Sequence, residues 1–144
     1  LFIDETRNMN LNAPLLSDEL KRQFPEIRFA FLFGSSQDGS IREGGDIDLA
    51  VWLENPAQKI ELIPRIIGLV ETLAPGVSCD LTLLNDAGEQ LAFEALTGKE
   101  LFIRDEAMDA YAAWYSLTCR EYEDALAWMK KQLIYRGYEV QWDH

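Results

Sequence analysis

Histidine is almost missing from this 144-residue chain: the one present, His144, is its last residue. Ser-His-Asp and Cys-His hydrolases need an imidazole held inside the fold, so those classes are excluded. Cysteine is nearly as scarce. Cys79 and Cys119 stand far apart in no metal-binding spacing, which leaves no disulfide framework and no zinc cluster. Cys79 lies in an apolar stretch and reads as a small buried hydrophobe. Basic residues are the third shortage, 13 against 25 acidic ones, for a net charge of −12. Every third of the chain is acidic, so no Lys/Arg footprint for a phosphate backbone exists and direct nucleic-acid binding is not expected. An anionic membrane surface would repel the chain as well. A basic or mixed-charge protein surface is the natural complement. No apolar run approaches the ~20 residues that span a bilayer. No basic-then-apolar leader is seen, so the chain is read as cytoplasmic.

Core-forming residues are plentiful. With 48% hydrophobic residues, the length and composition predict one folded domain over 1–144, with a core at about 15–104 and a C-terminal helix at about 105–136. Residues 1–14 read as irregular. Ser17 is the expected N-cap of a helix running to about Phe24, and Pro25 ends it. Ile27 to Phe33 reads as a strand buried on both faces, and Asp46 to Leu53 as a second strand. Asn55-Pro56 starts a helix to about Leu73, with Pro64 expected to kink or split it. Val77 to Leu84 is a third strand. Asp86 and Glu89 form a capping-box pattern for a helix ending at Gly98. Leu101 to Ile103 reads as a short strand, and Asp105 caps a long last helix to about Tyr135. Alternating strands and helices give an α/β (α+β) class, a mixed sheet flanked by helices. About 12 residues join the first two strands, too few for a helical crossover, so those strands are expected antiparallel with a short helix between them.

The chemistry lies in Gly34-Ser35-x10-Asp46-x-Asp48. On a strand, residues two apart share a face, so Asp46 and Asp48 project together while Ile47, Leu49 and Val51 face the core. Adjacent carboxylates repel each other unless a cation neutralises them, and hard oxygen ligands suit Mg²⁺. Gly34 lets backbone approach a ligand closely, and a short helix starting at Ser35 or Ser36 would turn N–H groups on the same site. Asp80 alternates with Val77, Cys79, Leu81 and Leu83, so it too points away from the core. Three carboxylates on two strands can hold two Mg²⁺ ions about 4 Å apart, the arrangement for attack at a nucleoside triphosphate's α-phosphorus.

This motif resembles that of the polymerase-beta-like nucleotidyltransferase superfamily. The segments Cys79-Asp80-Leu81-Thr82-Leu83-Leu84-Asn85-Asp86-Ala87 and Thr97-Gly98-Lys99-Glu100-Leu101-Phe102 are similar to the minimal nucleotidyltransferases (MNT) of the MntA antitoxin type. The resemblance implies the polymerase-beta-like fold and an enzyme that transfers AMP from Mg-ATP to a tyrosine of a cognate HEPN-domain ribonuclease toxin, silencing it. It implies that Asp46 and Asp48 bind both Mg²⁺ ions, that Asp80 completes one site and helps deprotonate the incoming hydroxyl, and that Gly34 and Ser35 hold the ATP phosphates. Many relatives carry an arginine where this chain has Asp38. Arg42 is a candidate nucleotide-binding residue to compensate.

Two other functions stay open at this stage. One is a catalytically weak antitoxin that neutralises its partner by binding, suggested by Asp38 and by the aromatic, acidic C-terminal helix. In that helix Tyr111, Trp114, Tyr115, Thr118, Tyr122, Ala125 and Met129 form a stripe expected mainly to pack on the sheet. The other is a small-molecule nucleotidyltransferase of the aminoglycoside type, for which the ~40 residues after Arg104 leave little room for a substrate domain. The chain is not itself a HEPN nuclease, because no arginine stands at the required distance before His144.

Overall fold

The computed structural model describes residues 8–42 and 44–137. A four-stranded sheet forms the middle layer, with strand order β5-β4-β2-β6: β2 (Ile27–Phe33), β4 (Asp46–Leu53), β5 (Ser78–Leu83) and β6 (Lys99–Ile103). β2 runs antiparallel to β4 and β6, whereas β4 and β5 are parallel. The parallel pair requires a crossover, supplied by α2 (Lys59–Leu73). Both faces of the sheet are covered, which explains why β2 is apolar on both sides. Ile47, Leu49, Val51 and Leu53 of β4 pack with Leu16 and Leu20 of α1 (Ala13–Gln23) and with Leu62, Ile66 and Val70 of α2. On the other face Phe29, Phe31, Phe33 and Ala50 pack with Ala95 of α3 (Glu89–Leu96) and with Tyr111 and Trp114 of α4 (Met108–Tyr135). Phe29 anchors this side: its ring lies 5.3 Å from Trp52, 5.4 Å from Tyr111 and 5.3 Å from Trp114. A second, two-stranded sheet pairs β1 (Asn8–Asn10) with β3 (Ser40–Arg42). Among the described residues, no helix is long and apolar enough to cross a membrane.

The structure corrects several helix starts. α1 begins four residues before Ser17: Asn12 is its N-cap, its Oδ1 accepting from the Leu15 N–H at 3.0 Å, and Pro14 fits the first turn, where no N–H is required. Ser17 instead donates to the Leu101 carbonyl at 2.9 Å and ties α1 to β6. α2 continues through Pro64 as a single helix. Gly88, not Asp86, occupies the cap position of α3, and the Asp86 carboxylate pairs with Lys59 Nζ at 3.4 Å. Asp105 opens a one-turn 3-10 helix ahead of α4 and makes no side-chain cap bond. At the other end of α1, Arg104 donates to the Lys21, Phe24 and Ile27 carbonyls at 2.8, 3.1 and 2.7 Å, satisfying the helix terminus and pinning it to the sheet.

Candidate active site

β2 ends at Phe33, directly opposite Asp48 on β4. The chain then turns sharply through a one-turn 3-10 helix, Gly34–Ser36, with Gly34 at φ +66°. A side chain at position 34 would collide with Oδ2 of Asp48, so glycine is required both by its backbone angle and by the carboxylate beneath it. Ser36 fixes the turn. It is buried, its hydroxyl donates to the Phe33 carbonyl at 3.2 Å and accepts from the Asp48 N–H at 3.1 Å. The sequence motif drew attention to Ser35, which is exposed in the same turn. The buried clamp is its neighbour, which no spacing rule singles out.

Asp48 is also register-paired with Asp80 across the parallel β4–β5 ladder, and Asp46 with Ser78. Strand alternation puts Asp46, Asp48 and Asp80 on one sheet face, as the sequence predicted. Asp46 and Asp80 are exposed and Asp48 is half-buried. Burial raises the Asp48 carboxyl above the ordinary carboxylate range, and the charges of Asp80, Asp46 and Glu94 push it further the same way. Glu94 is a fourth acid that the sequence reading missed. It reaches the site from α3, and the packing of α3 on the sheet cannot be read from the local pattern.

These groups can concentrate negative potential around one half-buried carboxylate and so attract a cation. Among the described residues, no three acids, thiols or imidazoles converge tightly enough to form a ready-made metal cage. The donor set nevertheless fits Mg²⁺, which keeps several waters and takes one or two carboxylates plus phosphate oxygens. Asp38 does not disturb this face directly: its Oδ1 accepts from the Ser40 N–H at 2.9 Å, closing a turn on its own backbone. The backbone of Arg42 ends β3, and its side chain lies outside the described residues. Cys79 is half-buried on the opposite side of β5, and burial, aided by the charges of Glu71, Asp80 and Asp48, pushes its thiol up to about 12. The sequence reading expected a fully buried residue, and the structure leaves it partly exposed.

A family model described as "Polymerase beta, Nucleotidyltransferase" matches residues 16–107, a span holding all three acids and the glycine turn. None of the curated proteins matches the chain. Among solved structures, the chain is similar to a toxin–antitoxin complex with AMP-PNP at 22% identity and a TM-score of 0.60, covering 86% of this chain and 96% of that one. It is similar to a variant MntA-HpeT toxin–antitoxin carrying two aspartate-to-glutamate substitutions, at 21% identity and a TM-score of 0.60, with the same coverage of 86% and 96%. A third likeness is to a structure of tri-AMPylated Shewanella oneidensis HEPN toxin in complex with MNT antitoxin. There the identity is 19%, the TM-score 0.56 and the coverage 85% and 95%. At such identities the likeness is one of fold.

Proposed function

The chain belongs to the polymerase beta nucleotidyltransferase family, and from that premise we propose that it is an MNT-type antitoxin that transfers AMP from ATP to a tyrosine of a cognate HEPN toxin. The observation that carries the reading is the pairing of Asp48 with Asp80 beneath the glycine turn that Ser36 clamps to β4. The described structures of a tri-AMPylated HEPN toxin with an MNT antitoxin, and of a toxin–antitoxin with AMP-PNP, support the choice of acceptor and donor.

Asp46, Asp48 and Asp80 are the residues that would hold Mg²⁺. When bound, the ion supplies charge neutralisation at the phosphates and lets three carboxylates share one face. The remaining work belongs to the chain's own groups. The turn at Gly34 and Ser35 holds the β- and γ-phosphates next to the acids, and Gly34 leaves room for that approach. Asp48 is immobilised through its own backbone N–H by Ser36, so the site does not have to reorganise when substrate arrives. Asp80, exposed on the neighbouring strand, is placed to take the proton from the tyrosine hydroxyl as its oxygen attacks the α-phosphorus and pyrophosphate leaves. Arg42 is the proposed further contact to the triphosphate.

The test is intact mass. The full chain is incubated with Mg-ATP and the HEPN-type protein encoded beside it, and the partner is weighed. Mass gained in whole AMP units is the expected result, and it should vanish with Asp46→Asn/Asp48→Asn. A stable complex without mass gain would overturn the transferase reading in favour of neutralisation by binding.

A further inference from the structure

Gly98, between α3 and β6, is a glycine that its own backbone does not require. Its φ lies outside the left-handed region that Gly34 occupies, so only the space around it can demand glycine. That space is absent. A Cβ at position 98 would overlap the carbonyl oxygen of Leu32 and stand 3.0 Å from Cβ and 3.1 Å from Cα of Phe33. Carbon atoms pack best at about 3.5–4.0 Å, so this approach of one backbone to another is open to glycine alone. A Cβ on Gly88, at the start of α3, meets nothing within 4 Å.

The contact falls where β2 hands over to the phosphate turn. Leu32 pairs with Lys99 of β6 on one side of β2, and Phe33 pairs with Asp48 of β4 on the other. Phe33 is the last residue before Gly34, and its carbonyl accepts the Ser36 hydroxyl that in turn accepts from the Asp48 N–H. The turn that carries Gly98 is itself tied down. The Thr97 hydroxyl donates to the Phe93 and Glu94 carbonyls at 3.0 and 3.2 Å, and the Gly98 N–H donates to the Ala95 carbonyl at 3.0 Å. Ala95 is buried in one cluster with Phe33 and Ala50. The end of β2 is therefore held between this turn and the strand that bears Asp46 and Asp48.

We propose that Gly98 is a positioning residue for nucleotide binding. By letting the α3–β6 turn close on Leu32 and Phe33, it fixes where β2 ends, and so where the phosphate turn and the clamped Asp48 stand. Gly98 acts through Phe33 and Ser36. The inference rests on the nucleotidyl-transfer reading and deepens it. A methyl group at position 98 must push the neighbouring backbone aside by roughly an ångström. A misplacement of about 1 Å at a reacting centre can cost about a hundredfold in rate.

The test compares full-length Gly98→Ala with the wild type and two controls. Gly88→Ala adds the same methyl group where there is room. Asn85→Ala loosens β4 at Leu53, the end of the strand away from Asp46 and Asp48. Calorimetric titration with Mg-AMP-PNP gives the affinity, and a transfer assay gives KM for ATP and kcat. Gly98→Ala should bind AMP-PNP about tenfold or more weakly and raise KM by a similar factor. Both controls should keep the wild-type affinity at a temperature where circular dichroism shows every variant folded. Hydrogen exchange of the wild type decides the matter even if Gly98→Ala does not fold. Saturating Mg-AMP-PNP should slow exchange at residues 34–37 and also at 97–99, which stand behind the turn. Wild-type affinity in Gly98→Ala, a loss no larger than that of Asn85→Ala, or protection confined to 34–37 would each overturn the proposal. A wild type that binds no nucleotide would instead overturn the transferase reading beneath it.

Discussion

Asp48 carries the tension of the site. Burial and three neighbouring acids raise its carboxyl, so the fold favours its protonated form. The stability it contributes is complete below the ordinary carboxylate range and is lost as pH rises through the raised value. In metal-free protein at neutral pH, Asp48→Asn should therefore raise Tm by roughly 1–3 °C, with the gain disappearing in acid, while nucleotidyl transfer falls at least about a hundredfold. Thermal melts across pH and a transfer assay check both halves. Mg²⁺ should raise the Tm of the wild type and leave that of Asp46→Asn/Asp48→Asn unchanged. Gly34→Ala faces both a positive φ and the Asp48 carboxylate, and should cost about 1–2 kcal/mol or more in urea denaturation. The three acids were legible in the sequence because strands alternate faces and acids interrupting an apolar alternation stand out. Ser36 and Glu94 were not, because a buried hydroxyl clamp and a charge arriving from a packed helix are tertiary facts.

At the scale of elements, β2 and β4 were read to the residue, β5 within one residue at each end and β6 within two, whereas β1, β3 and the helix ends were not. β2 and β4 match their predicted limits because period-two burial is written directly into Ile27–Phe33 and Asp46–Leu53. Helix starts depend on which of several capping residues wins. Asn12 displaced Ser17 because Pro14 is preorganised for a first turn, and Asp86 was drawn off by Lys59. β1 escaped notice since three residues paired to an equally short β3 leave no periodicity to detect. One unforeseen device continues the sheet edge: Asn85 accepts from the Leu53 N–H and donates to the Leu53 carbonyl, both at 2.9 Å, imitating a backbone partner just past β5. Asn85→Ala strips both bonds from a buried residue and should destabilise the domain by about 1–3 kcal/mol, measured by urea unfolding. Asn12→Ala, which removes only a cap at an exposed helix start, should cost about 1 kcal/mol in the same experiment.

For the molecule as a whole, the acidic excess divides into parts with different consequences. Asp46, Asp48, Asp80 and Glu94 gather at one end of the sheet, Glu121, Glu123 and Asp124 lie on α4, and the rest is spread over the surface. The family match over residues 16–107 ends where α4 begins, although Tyr111 and Trp114 of α4 still pack on the sheet. The position of the long helix was foreseen, but the exposure of its second half was not, because an amphipathic stripe looks the same whether its cover lies in the same chain or another. The central claim is that this face of β4 and β5 transfers a nucleotidyl group. It is tested most directly by giving the full chain and its HEPN-type partner ATP radiolabelled either at the α- or at the γ-phosphorus. The account predicts label on the partner from the α-position alone, abolished by Asp48→Asn. Label arriving from the γ-position, or α-label that survives that substitution, would contradict it.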